Sequence, residues 1–254
     1  MSERRVPAPG SGGFVPEPGR LTGPFLVPAG LAVTWRAGAY LHPSSLIGIE
    51  EPMLLPLTLL GLFFLASGTF ALLWRPDRAT RLFFVYGFGG CIHWGGSIGA
   101  ADPDLELGLF FGYLAGTAVG EAAFLHLALC YPEDKRVGRL PRILLYTPGG
   151  AAILAAPLAG MIPEPATEGI AGVLLLVSTL FGIAAGVIFL VRFFRTEGKT
   201  RRAAGLGIIA FGVAAGSTVS LLGAAAVLPG PPDAYNLALA VIPAALAVAV
   251  VRRR

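Results

Sequence analysis

From residue 53 onward the chain alternates between long apolar stretches and short polar ones. The apolar stretches lie at roughly 53–74, 82–101, 107–131, 141–162, 169–191, 203–228 and 234–251. A helix of about 20 residues rises about 30 Å, the thickness of the hydrocarbon core of a bilayer. Inside that core every backbone N–H and C=O must find its partner within the segment, which makes each stretch a helix. None of them shows the ten-residue alternation of an outer-membrane strand. The pattern predicts an all-α, polytopic membrane protein with a seven-helix transmembrane domain over 53–254.

Residues 1–52 do not share this pattern. Met1 to Arg20 is rich in Pro, Gly and Ser, and it lacks the apolar core of a signal peptide. It is expected to be disordered. Leu21 to Ile49 holds Trp35, Tyr40 and His42 among short apolar runs interrupted by Arg36, Pro and Gly, so it does not span. Together 1–52 read as an extracytoplasmic segment, either a small cap or a piece lying at the interface.

Composition agrees with the pattern. Of the 254 residues, 55% are hydrophobic and 13% charged, about half the charge of an ordinary soluble domain. The mean hydropathy is +0.73. The net charge of +4 would suggest nucleic acid until the charges are located. Fifteen of the nineteen Lys and Arg residues sit in alternate loops and at the tail. They are Arg75, Arg78 and Arg81; Lys135, Arg136, Arg139 and Arg142; Arg192, Arg195, Lys199, Arg201 and Arg202; and Arg252, Arg253 and Arg254. The other loops, ADPDLE, PEPATEG and PGPPDAYN, hold none. Positive residues stay in the cytoplasm, so the N-terminus is expected outside and the C-terminus inside. All of these but Arg192 form a cytoplasmic basic surface that meets anionic lipid or a protein partner. Nucleic acid is not expected as a partner.

Small residues recur four apart along the spans: Gly95 and Gly99, Gly112, Gly116 and Gly120, Gly182 and Gly186, Gly212 and Gly216. Such spacing lets helix backbones approach closely in lipid. It is read first as packing within the bundle, with a dimer face as the alternative. Cys91 and Cys130 both fall in apolar spans and form no CxxC, so they read as small buried hydrophobes rather than a disulfide or zinc site.

Candidate chemistry is sparse. The third span, LGLFFGYLAGTAVGEAAFLHLALCY, carries Glu121 and His126, and the second carries His93. Ionisable groups within a span usually face the protein interior. By helix rise, His93 and Glu121 lie roughly 18 Å and 15 Å from the basic ends of their spans, so a pair between neighbouring helices is reasonable. That pair reads either as a proton-sensitive or ligand-binding switch or as polar glue between helices. His126 lies about 10 Å from the level of His93, which argues against a bis-histidine haem. His42 lies outside the spans. No metal site and no cofactor is expected.

Catalytic motifs are missing. The chain has no GxxxxGK(S/T), HExxH or GxSxG. Thr58, Ser67, Thr117, Ser178, Thr179, Ser217 and Thr218 have no neighbouring base in sequence and are expected to hydrogen-bond within or between helices. Pro148 and Pro243 are expected to kink spans four and seven, without the matched broken helices of a secondary transporter. No catalytic residue is assigned, and an enzyme is not expected.

One stretch carries a resemblance. EAAFLHLALCYPEDKR, from Glu121 to Arg136, resembles the FLHxxLxFP-plus-basic pattern of the seven-helix N-terminal membrane (sensor) regions of bacterial sensor histidine kinases and related signalling proteins. Phe124, Leu125, His126, Leu129 and Pro132 match, and Tyr131 stands where the family often has Phe. The tail NLALAVIPAALAVAVVRRR resembles the last span of those regions, which ends in a basic turn before a kinase, phosphatase or cyclase output domain. The resemblance extends over about 53–254 and implies a seven-helix module of the bacterial cytoplasmic membrane. It departs from the family in that no output domain follows residue 254 in this sequence.

Three functions are then expected in turn. The first is a non-catalytic, sensor-like module that transmits through a cytoplasmic or membrane partner, with His93, Glu121 and His126 as its intramembrane polar core. The second is a structural or assembly subunit of a larger membrane complex. The third is a small transporter, which would need a second polar site related to the first by internal symmetry. The orientation has a direct check: a cysteine at position 135 should be silent to a membrane-impermeant thiol reagent added outside intact cells and reactive once the cells are opened.

Overall fold

The computed structural model of the chain describes residues 30, 51–94, 103–133, 136–195, 201–224 and 232–252. Among the described residues seven α-helices with defined bounds run in order: α1 (Glu51–Trp74), α2 (Arg78–His93), α3 (Pro103–Cys130), α4 (Arg139–Ala155), α5 (Glu164–Arg195), α6 (Arg201–Ala224) and α7 (Val241–Arg252). Two 3-10 segments complete them, η1 (Ala156–Met161) after α4 and η2 (Pro232–Ala240) before α7. The fold is all-α, with no strand among the described residues. The expected disorder of 1–20 and most of the segment 21–52 lie outside the described residues. Helix α1 begins at Glu51, two residues before the expected boundary.

Three helices contain stretches long and apolar enough to cross a membrane: Pro56–Trp74, Leu107–Cys130 and Pro165–Arg195. Prolines shorten the α-helical part of two others. The fourth apolar stretch changes from α to 3-10 at Ala156, just before Pro157, and the seventh changes from 3-10 to α at Val241. Pro243 therefore sits in the first turn of α7, where its missing N–H has no helical partner to lose. The expected kink within span seven is instead a change of helix type ahead of the proline. Pro148 stays inside α4. The 12-residue α7 rises only about 18 Å and the 16-residue α2 about 24 Å.

Burial runs opposite to that of a protein surrounded by water. The apolar window of α5 has a mean hydropathy of 2.6, yet 22% of it is buried, whereas that of α3 has 1.3 and is 78% buried. In water the most apolar helix would be the most hidden. Here Val173, Leu176, Leu180, Ile183 and Val187 of α5 are all exposed. This is the surface of a membrane protein, with the less apolar α3 at its centre.

Helices α1, α2, α3, α5, α6 and α7 form a closed ring of neighbours, and η2 also packs on α6 and α1. Helix α4 and η1 stand outside it, packed mainly on α3. The largest core cluster joins Phe83, Tyr86, Phe124, Tyr131, Phe189, Leu206 and Leu246 across the ring. A second, around Phe111, Leu114, Ala152 and Leu174, ties α3 to α4 and α5.

Glycine sets the tightest contacts. A Cβ built on Gly120 of α3 would stand 2.8 Å from the Cα of Gly89 in α2, so the two backbones touch without side chains between them. Gly116 takes the side chain of Ile92, Gly186 that of Val213, and Gly212 and Gly216 face η2 and α7. Gly112 is half-buried on α3, and Gly95 and Gly99 lie outside the described residues. Gly68 and Gly87, which have no partner four residues away, make an equally close approach between α1 and α2. Gly120→Val should therefore lower the thermal unfolding midpoint in mild detergent by the equivalent of about 1–3 kcal/mol of overpacking. Gly150→Ala, where an added Cβ meets nothing within 4 Å, should leave the midpoint in place.

Candidate functional site

Two polar constellations lie on α3, one in the middle of the ring and one at its end. The first is a cavity of about 640 Å³, within the usual size range of small-molecule sites. Every helix of the ring contributes to its wall, together with η2. Its aromatic side holds Phe64, Tyr86, Trp94 and Phe124. The Tyr86 and Phe124 rings stack at 4.5 Å, and Phe64 meets Tyr86 edge-on at 5.5 Å. Its polar groups are His93, Thr117, Glu121, Ser178, Thr179, Ser217, Thr218 and Asn236.

The hydroxyls of Thr117, Ser178 and Thr179 donate to the carbonyls of Tyr113, Leu174 and Leu175, each one turn back on its own helix. Glu121 differs from them. It makes no hydrogen bond or ion pair among the described residues, and its Oε2 lies against Gly182 of α5, where a Cβ would come within 2.8 Å. A side chain at that position would make the carboxyl group shift. Among the described residues the wall includes no Lys or Arg.

His93 and Glu121 share this wall but do not form the expected pair. His93 Nδ1 lies 3.4 Å from both the Thr117 and the Tyr113 hydroxyl oxygens. Its ring stacks on Tyr113 and meets Trp94 edge-on. Those partners are one and two turns before Glu121 on α3, so the imidazole sits towards the N-terminal end of α3 from the carboxyl group.

His126, the third member of the expected polar core, is elsewhere. It is buried near the C-terminal end of α3, where its Nε2 accepts from the Arg78 guanidinium at 2.9 Å. A guanidinium only donates, so Nδ1 carries the ring proton and donates to the Tyr146 hydroxyl oxygen at 3.2 Å. His126 is thus a neutral bridge between the start of α2 and the inner face of α4. Arg78, grouped by sequence with the basic surface, turns inward because this acceptor lies within reach. Arg81, Arg136, Arg139, Arg142 and Arg195 are exposed. Lys135, Lys199, Arg253 and Arg254, and the side chains of Arg201, Arg202 and Arg252, lie outside the described residues.

The same end gathers four more helix termini. Arg192, in the last turn of α5, donates to the carbonyls of Tyr131 and, at 2.9 Å, Leu129. These are carbonyls that the end of α3 leaves without helical partners. The Tyr131 hydroxyl donates to the Ala249 carbonyl of α7 at 3.1 Å and stands against Gly205 of α6. At the start of α2, Asp77 caps the helix in a reciprocal capping box with Thr80, and Arg75 pairs with Asp77 at 3.1 Å. The basic ends of all seven helices meet around the FLHLALCYP stretch.

Three contributors were not singled out by sequence reasoning. Asn236 is the only Asn of a chain that has no Gln, and that rarity beside an apolar run was the signal. Tyr86 and Tyr146 carried none, since aromatic residues are common in spans.

The chain matches no protein-family model, no curated protein and no solved structure. What the two constellations do chemically follows from their residues alone. The outer one is structural in its first effect. His126→Phe should lower stability by about 1–3 kcal/mol, because it removes an acceptor of the half-buried Arg78 guanidinium and the bond to Tyr146. Adding Arg78→Met should cost less than the sum of the two single changes, by at least about 0.5 kcal/mol in a double-mutant cycle of unfolding in lipid–detergent micelles.

Proposed function

We propose that the protein is a seven-span module of the bacterial cytoplasmic membrane, N-terminus outside and C-terminus inside, that senses rather than catalyses. A ligand occupies the central cavity, and a cytoplasmic or membrane partner reads the state of the bundle at its basic end. One observation carries this reading: the Glu121 carboxyl, without a hydrogen-bond or ion-pair partner among the described residues, in the wall of a cavity lined by six helices. An ionisable group at such a position is costly and marks function more often than packing. The orientation is supported by the convergence of the basic ends, since loops rich in Lys and Arg stay in the cytoplasm. The exposed Arg136, Arg139 and Arg142 then face anionic headgroups and the partner. The resemblance of the FLHLALCYP stretch to sensor regions points the same way.

A second reading has its own support. Helix α4 lies outside the ring and exposes Leu140, Ile143, Leu144, Ile153 and Leu154. Lipid covers such a face, and so would a neighbouring subunit of a larger complex.

Extraction of the tagged protein in mild detergent, with mass spectrometry of what accompanies it, separates the two readings. A signalling enzyme is expected, with Glu121→Gln changing its recovery by about fivefold, the lower range of allosteric coupling. The variant should keep the wild-type unfolding midpoint. A stoichiometric set of membrane-complex subunits, indifferent to Glu121→Gln, would replace the sensor with an assembly subunit.

A further inference from the structure

The chemistry of the cavity wall narrows what can occupy it. Glu121 supplies a carboxyl group, and no Lys or Arg stands beside it among the described residues of the wall. An anionic occupant would meet no cation among them. A hydrocarbon without a donor would leave the carboxyl unmatched in an apolar setting, which is costly. An amine completes it, since the two groups share one proton and form either an ion pair or a neutral hydrogen bond. Phe64, Tyr86 and Phe124 line the same wall and supply apolar surface for the rest of the occupant.

The way in is lateral. Helices α5 and α6 touch where Gly207 meets the Phe193 ring and Gly186 meets Val213. Further from that end, Thr179 and Ile183 of α5 and Ala214 and Thr218 of α6 line the cavity and are also exposed. Ile183 keeps 59% of its surface open. The cavity therefore opens between these two helices, beside the apolar outer face of α5. That face belongs to the hydrocarbon of the bilayer.

We propose that the occupant is a lipid-borne amine, a hydrocarbon chain with an amino head. It enters between α5 and α6 from the bilayer and sets its nitrogen against Glu121. This rests on the reading of the cavity as a ligand site and names the ligand's class. Gly182 is part of the device, because it gives the carboxyl its place at the head-binding end. Ile183 and Ala214 flank the mouth.

The test uses the full chain in phosphatidylcholine nanodiscs with a diazirine-bearing dodecylamine as photoprobe. N,N-dimethyldodecylamine, dodecan-1-ol and dodecanoate serve as competitors. Saturable labelling of α5 and α6 peptides is expected, displaced by the amine at least about tenfold more tightly than by the alcohol, with dodecanoate weakest. Glu121→Gln should bring amine and alcohol to parity. Gly182→Ala, which leaves the carboxyl in the chain but crowds its place, should weaken the amine by about tenfold and spare the alcohol. Ile183→Trp should suppress labelling by narrowing the mouth. Equal displacement by amine and alcohol on the wild type would overturn the amine while leaving the cavity as a ligand site. An amine preference that persists in Glu121→Gln would overturn the role of the carboxyl. Absence of saturable labelling by any probe would overturn both the amine and the ligand site.

Discussion

The carbonyls at the end of α3 set a demand that much of the structure meets. A helix leaves its last carbonyls without helical partners, and away from bulk water each needs another donor. Arg192 provides two N–H groups to this end from the last turn of α5, which fixes where α5 must finish. One turn earlier on α3, His126 draws in the start of α2 through Arg78 and the inner face of α4 through Tyr146. Helix α3 is consequently the most enclosed of the three membrane-length helices although it is the least apolar of them. Its neighbours are held to it by polar bonds at one end and by direct backbone contact further along.

Glycine has two effects in this bundle. Between α2 and α3, Gly89 and Gly120 allow contact that side chains would forbid. Around the cavity, Gly90, Gly182 and Gly186 each admit a neighbouring side chain, those of Phe64, Glu121 and Val213. A residue type suited to close packing therefore also makes room for Glu121 in the wall. Gly182 joins the two effects, since the space its missing side chain leaves is taken by the carboxyl group of the facing helix.

The helices were legible in the sequence because the constraint that makes them is local. A long apolar stretch in hydrocarbon has to satisfy its own backbone, and all seven stretches are helical where they are described. The proline breaks at η1 and η2 were only half legible. Pro243 was visible, but its effect depended on which residue began the α-helix. The order of packing was not legible, since α4 is apolar enough for lipid on one side and no periodicity says that it stands outside the ring. Arg192 and Arg78 were counted as loop charges, and only the fold brings acceptors to them. The level of His93 relative to Glu121 was misjudged for a similar reason: rise along a helix gives depth, and the tilt and offset between two helices decide which side chains meet.

Tyr131 occupies a peculiar place in this scheme. Its carbonyl is held by α5 and its hydroxyl holds α7, so a single residue is bonded to both. A displacement of α5 that carries Arg192 with it pulls on the Tyr131 backbone, and the ring transmits the pull to Ala249, three residues before the last described residue, Arg252. The tyrosine thus acts as a crank: its backbone is the axle on one helix and its phenol the arm on another. Phenylalanine at the same position would keep the axle and lose the arm.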